Sequence, residues 1–194
     1  PSLTQAESVR LFVERARAVV PEFALSPENG SDVAAICRRL DGVPLALELA
    51  AARVRHLQLS DLRDRLDSAL PLLVGGPHDA PLRLQTMRTA IAWSYNLLTP
   101  AQQAFFRSLA VFVGGFEADA VVALQHRLNT AEPMHGDVAR QQGDVPPAVL
   151  ELLSVLIDHS LLQIMPAPVE HPGSATRYAF LETIREFGLE QVVA

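Results

Sequence analysis

The chain has 194 residues, a net charge of −6, and sixteen cationic side chains, every one of them arginine. That length holds one large domain or two small ones, and 49% hydrophobic residues provide for buried cores. With no lysine there is no P-loop, whose ammonium reaches the β- and γ-phosphates, and no Schiff-base chemistry; the acidic balance, shared by both halves, lacks the basic footprint that phosphate-backbone binding needs.

Cys37 is the only cysteine, so an internal disulfide or a multi-cysteine metal site is excluded, and a small buried apolar role is expected for it. No run approaches 18 uncharged apolar residues and the start lacks a basic-then-apolar signature. A cytoplasmic protein with no membrane partner is expected.

In chain order, Thr4-Gln5-Ala6-Glu7 reads as a capping box ahead of a helix carrying Val9, Leu11, Phe12, Ala16, Val19 and Val20, which Pro21 stops. Ser26-Pro27-Glu28-Asn29-Gly30 reads as a turn. A second helix from about Ser31 to Leu40 turns Val33, Ile36, Cys37 and Leu40 inward and Arg38 and Arg39 outward. Gly42 sits where a left-handed C′ residue belongs, and Pro44 opens a third helix at its first position, running to Val54. Ser60 is read as the cap of a short helix from Asp61 to about Leu70. The stretch 75–82, with Gly75-Gly76-Pro77, is the clearest linker. It separates a helical bundle, 1–74, from a second domain, 83–194.

That second domain begins with a helix from about Leu84 to Leu97. Thr99-Pro100-Ala101-Gln102 is another capping box, opening a helix that presents Phe105, Phe106, Leu109 and Ala110. Gly114-Gly115 breaks the chain, a helix follows from Glu117 to about Leu124, and 129–146 reads as a long polar loop. Pro147 opens a helix to Asp158. Strands at 160–165 and 176–180 flank a turn at 166–174, and a last helix runs from Glu182. The fold class expected is mainly α: a helical bundle, then a winged helix-turn-helix with one β-hairpin.

No pair among the six histidines has metal-ligand spacing, and no G-x-S-x-G elbow occurs. Glu182 and Glu186, one helical turn apart, read as a solvated like-charged pair. An enzyme is not expected. Duplex reading by the 147–158 helix is also disfavoured, because its polar face is Glu151, Ser154 and Asp158 and the remainder is apolar nearly all round, which signals burial. A free-standing winged-helix DNA-binding regulator and a protein-interaction module remain as alternatives. Gly42-Val43-Pro44-Leu45 offers a bare turn and a flat pyrrolidine ring at a helix start, where a purine can lie while backbone groups read its edge; an ordinary helix cap explains the same four residues.

The run from Cys37 to Arg53, with Leu40-Asp41-Gly42-Val43-Pro44-Leu45-Ala46-Leu47-Glu48 at its centre, resembles the G-x-P segment in the helical lid of the NB-ARC-type STAND ATPases, in particular bacterial AfsR/LuxR-like transcriptional regulators. Two further blocks agree in order: Leu84 to Leu98 with Phe105 to Phe116, and Tyr178 to Glu190. The resemblance implies a signal-transduction module in which a P-loop domain precedes this segment and sensor repeats follow, with ADP or ATP held by the intact protein and no tight binding by this chain alone. It implies that Pro44, with Gly42, Val43 and Leu45, lies on the adenine side. It implies a phosphate-side position at Leu181 and Glu182, where the family's Met-His-Asp motif is replaced by Phe180-Leu181-Glu182. Apolar surfaces facing the missing core would promote self-association.

Overall fold

The computed structural model describes residues 3–76, 81–129, 145–165 and 175–193. Among them the fold is mainly α, with a three-stranded antiparallel sheet. They form two compact units, one made of residues 1–97 and 181–194, the other of residues 98–180.

The first unit is built on α1 (Leu3–Val19), α2 (Gly30–Arg39), α3 (Pro44–Ala52) and α4 (Leu59–Arg65). Its core draws on Phe12 and Ala16 of α1, Val33 and Ile36 of α2, and Ala46, Leu47 and Ala50 of α3, all without exposed surface. The small side chains of α3 let α1 approach closely, and Cys37 of α2 is buried as expected. Two of these four helices start elsewhere than the sequence reading placed them. Helix α1 begins at Leu3, so Thr4 lies inside it. Helix α4 begins at Leu59 after Gln58, so Ser60 is within the helix and no side chain caps it.

After α4 the chain is tied down by Arg53, whose guanidinium donates to the Leu72 and Val74 carbonyls at 2.9 and 2.7 Å. Val74 bridges to Thr86, Gly76 N–H donates to Gln85 O at 2.9 Å, and Met87 N–H donates to Leu73 O at 2.9 Å. The first end of the expected linker is thus hydrogen-bonded to residues 85–87, where α5 (Met87–Asn96) begins; residues 77–80, with His78, lie outside the described residues. Helix α5 begins later than expected because Thr86 caps it, its hydroxyl accepting from Thr89 N–H at 3.0 Å. The 82–84 stretch is a separate short turn of 3₁₀-helix.

The C-terminal helix α9 (Glu182–Val193) belongs to this first unit. Phe187 packs edge-on against Tyr95 with ring centroids 5.4 Å apart. Glu186 accepts hydrogen bonds from Ser68 Oγ (3.1 Å), Ala69 N–H (2.9 Å) and Leu70 N–H (3.2 Å). Glu190 pairs with Arg88. Glu186 is therefore not the solvated group its spacing suggested: the turn after α4 leaves amides without helical acceptors, and this carboxylate supplies them.

The second unit follows the order helix, strand, helix, helix, strand, strand of a winged helix: α6 (Pro100–Leu109), β1 (Phe116–Glu117), α7 (Ala118–Asn129), α8 (Pro147–Asp158), β2 (Gln163–Ile164) and β3 (Arg177–Ala179). Strand β3 lies between the other two, with Phe116 opposite Tyr178 on one side and Ile164 opposite Tyr178 on the other. The expected hairpin is present; β1 adds a third strand to it. Gly115 makes that pairing possible. At φ +100° its missing Cβ leaves room that Met165 Sδ and the Tyr178 carbonyl occupy, 2.7 and 3.1 Å from where a Cβ would stand.

The Thr99 capping box forms as read, with both reciprocal bonds to Gln102. Phe106, fully buried, meets Phe180 edge-on at 5.3 Å, and Phe112, Phe116 and Tyr178 continue the aromatic layer. Helix α8 buries Val149, Leu153 and Leu156 but is not enclosed all round: Leu150, Glu151, Ser154 and Asp158 are exposed. The long polar loop and the hairpin turn, with His135 and His171, lie mostly outside the described residues.

Candidate functional site

Helix α2 ends in a full Schellman motif. The Asp41 N–H donates to Arg38 O at 3.1 Å and the Gly42 N–H to Cys37 O at 3.0 Å, which satisfies two of the last carbonyls. Leu40 is the C-cap, so the C′ position that the sequence reading gave to Gly42 is held by Asp41. Both are left-handed, Asp41 at φ +53° and Gly42 at φ +68°. Aspartate is one of the few side chains that tolerates this region; glycine takes it freely.

Two left-handed residues reverse the chain within four positions. Val43 N–H donates back to Leu40 O at 2.9 Å, and Val43 then serves as the N-cap of α3. Pro44 is at the first helical position and exposed, while Val43 and Leu45 are half-buried. Proline has no N–H, and no side chain caps the start of α3. The amides of Leu45 and Ala46 therefore lack helical acceptors at the positive end of the helix dipole.

The other predicted position, Leu181–Glu182, lies at the start of α9, and the fold joins it to this turn. The Glu182 N–H donates to Asp41 Oδ2 at 2.8 Å, across 141 residues of sequence. Glu182 turns its own carboxylate to Arg185, with bonds of 2.6 and 3.1 Å. Leu181 is half-buried, and its carbonyl accepts the first bonds of α9, from Ile184 and Arg185. Loss of solvation raises the Asp41 carboxyl above its ordinary value; the Glu182 N–H pulls it back, and the neighbouring Glu182 charge pushes it further up. Of the residues singled out from sequence, Gly42, Val43, Pro44 and Leu45 form one continuous turn, with Leu181 and Glu182 one hydrogen bond away. Asp41 was the residue missed. Its signal was the Asp-Gly pair before a proline, which reads as turn chemistry and gives no hint of a distant partner.

A separate groove of about 570 Å³ opens at the other end of α2, lined by Asn29, Asp32, Arg55, His56, Gln58 and Ser60 among others. Ten helical residues, about 15 Å of rise, separate it from the Gly42 turn. Asp32 is paired with Arg63, and Asn29 is engaged with Ser26 and Ala24. Among the described residues no group of three or more His, Cys, Asp or Glu side chains could hold a metal ion, and no helix is long and apolar enough to cross a membrane. The outward face of α8 carries Glu151 and Asp158 and no basic residue. On the wing, Arg177 lies within 3.4–3.5 Å of the Gly114 and Gly115 carbonyls.

The chain matches no protein-family profile. It is 42% identical over 186 residues to the "Putative HTH-type transcriptional regulator Rv0890c" of Mycobacterium tuberculosis, a match covering 96% of this chain and 19% of that protein. The same figures hold for the "Putative HTH-type transcriptional regulator Mb0914c" of Mycobacterium bovis. The "Uncharacterized protein Rv0894" of M. tuberculosis is also 42% identical, over 63% of this chain and 31% of its own length. The chain is thus homologous to a segment of longer regulators and spans about a fifth of the length of the first two.

Proposed function

We propose that this chain is the nucleotide-state-sensing lid and winged-helix module of a STAND-type signalling ATPase within a transcriptional regulator. In this reading it does no chemistry itself. It closes over ADP or ATP held mainly by a P-loop domain of the same polypeptide, and shifts the balance between closed and open forms as nucleotide exchanges. Gly42, Val43, Pro44 and Leu45 face the adenine, whose edge the free amides at the start of α3 can read. Leu181 and Glu182 hold the place of the family's phosphate-side motif, with the Glu182 amide engaged by Asp41. Sensor repeats of the same polypeptide and further copies of it would be the remaining partners. Exposed Leu82, Trp93 and Leu97 in the first unit, and Val111, Val113 and Ile164 in the second, are apolar surface available for such contacts.

The observation that carries this reading is the Asp41–Glu182 hydrogen bond, which links the two motif segments within one compact unit. Homology to a segment of longer regulators supports it as well. The test is the dissociation rate of labelled ADP from the longer polypeptide carrying the phosphate-gripping domain. Pro44→Ala removes the flat ring and should speed release; an unchanged rate removes the adenine role.

The winged-helix order and the HTH-type names of the relatives favour a second reading, direct duplex binding by α8. Two exposed carboxylates and no arginine on that helix would repel phosphates.

A further inference from the structure

We infer that Asp41 is the positioning residue that couples the adenine-facing turn to the Leu181–Glu182 step, an inference that rests on the nucleotide-lid reading above. A helix start needs acceptors for its first amides, usually from an N-cap serine, threonine, aspartate or asparagine. Helix α9 has Leu181 in that place, and leucine offers none. The first-turn acid, Glu182, is engaged with Arg185. The acceptor comes instead from Asp41, on the turn that carries Pro44 three residues later.

The backbone of Asp41 makes the same point. At φ +53° an L-residue is strained where glycine is not, and the next residue is a left-handed glycine. A glycine pair would complete the Schellman turn with less strain, so what aspartate adds is its carboxylate. From that carboxylate the connection continues through a stiff element. Three turns of α9 are held to the first unit by Glu186 on the 68–70 backbone, by Phe187 against Tyr95, and by Glu190 on Arg88. A displacement of the Gly42–Pro44 turn on nucleotide exchange is thus delivered to the start of α9 by one short polar link. The Glu182 amide that a phosphate oxygen would use is already taken by Asp41, and two carboxylates stand beside it. The polyphosphate is therefore not the ligand of this helix start; Asp41 is.

Two variants separate this role from a merely structural one. Asp41→Gly keeps the left-handed turn and removes the acceptor, whereas Asp41→Asn tolerates the turn and retains a carbonyl acceptor. In this chain, amide exchange at Glu182 should open about five-fold more readily in Asp41→Gly, the change that loss of a capping acceptor produces, and return to the wild-type rate in Asp41→Asn. In the longer polypeptide, labelled ADP should leave faster from Asp41→Gly by a similar factor and at the wild-type rate from Asp41→Asn. An unchanged Glu182 amide, or faster exchange there with ADP release unaltered while Pro44→Ala still accelerates it, would overturn the coupling and leave the nucleotide reading standing. If Pro44→Ala and Asp41→Gly both leave ADP release unaltered, the lid reading falls and the coupling falls with it.

Discussion

Replacing Glu186 by alanine removes an acceptor that serves two buried amides at once. Ala69 and Leu70 are 3% and 1% exposed, and both donate to the Glu186 carboxylate. An unmet buried amide costs about 1–3 kcal/mol, so losing both costs roughly 3 kcal/mol; the Ser68 hydroxyl, nearer the surface, can turn to water. For a chain of this length that corresponds to a fall of roughly 6–12 °C in Tm. Trp93, the only tryptophan, lies on α5 of the same unit under the Arg83 guanidinium and reports the transition by fluorescence. Glu186→Gln keeps one carbonyl acceptor and should restore about half of the loss. If Glu186→Ala shifts the urea midpoint by no more than an ordinary surface change, about 0.5 kcal/mol or less, then α9 is not anchored to the 68–70 backbone and the first unit is wrongly composed.

Three further outcomes are expected. Gly115→Ala places a methyl 2.7 Å from Met165 Sδ and 3.1 Å from the Tyr178 carbonyl at a backbone angle glycine alone accepts, and should cost about 1–3 kcal/mol, read as a lowered urea midpoint with loss of the β1–β3 amide protection. Burial pushes the Cys37 thiol up to about 11, with a hydrogen bond from Ser8 pulling the other way, so at pH 8 a thiol reagent should react no faster than the chain unfolds. Asp41 titrates above its ordinary 3.8 in the fold; its proton binds the folded chain more readily than the unfolded one. Its contribution is therefore full below the ordinary aspartate range and lost as pH rises through the raised value. Asp41→Asn mimics the neutral form, so it should match or exceed the wild-type urea midpoint at pH 7, with the gap closing at pH 4. A lower midpoint at pH 7 would contradict that sign.

Helices were legible wherever local chemistry decides them. Thr99 with Gln102, Pro44 at a helix start, and the Val33-Ile36-Cys37-Leu40 stripe all speak within one or two turns of chain. What escaped the sequence reading depends on partners far away. Strand β1 is two residues long and exists only because β3 lies beside it, so no alternation could announce it. Thr86 was passed over as a cap because Thr89, not Glu or Gln, stands three residues later. Glu186 looked like one of two solvated acids until the fold brought the 68–70 amides to it. The candidate site divides the same way: Gly42 and Pro44 announce themselves through backbone chemistry, and Leu181–Glu182 through motif order alone. Asp41, the link between them, is visible only across 141 residues.

The central claim is that this chain offers a purine-facing edge with no P-loop lysine to hold the triphosphate tail. A titration with labelled ADP and with duplex DNA, performed on this chain and on the longer polypeptide that includes the phosphate-gripping domain, tests it most directly. The account predicts no saturable binding of either ligand by the chain and firm ADP retention by the longer protein. Tight ADP binding, ATP cleavage, or salt-dependent duplex binding by the chain alone would contradict it.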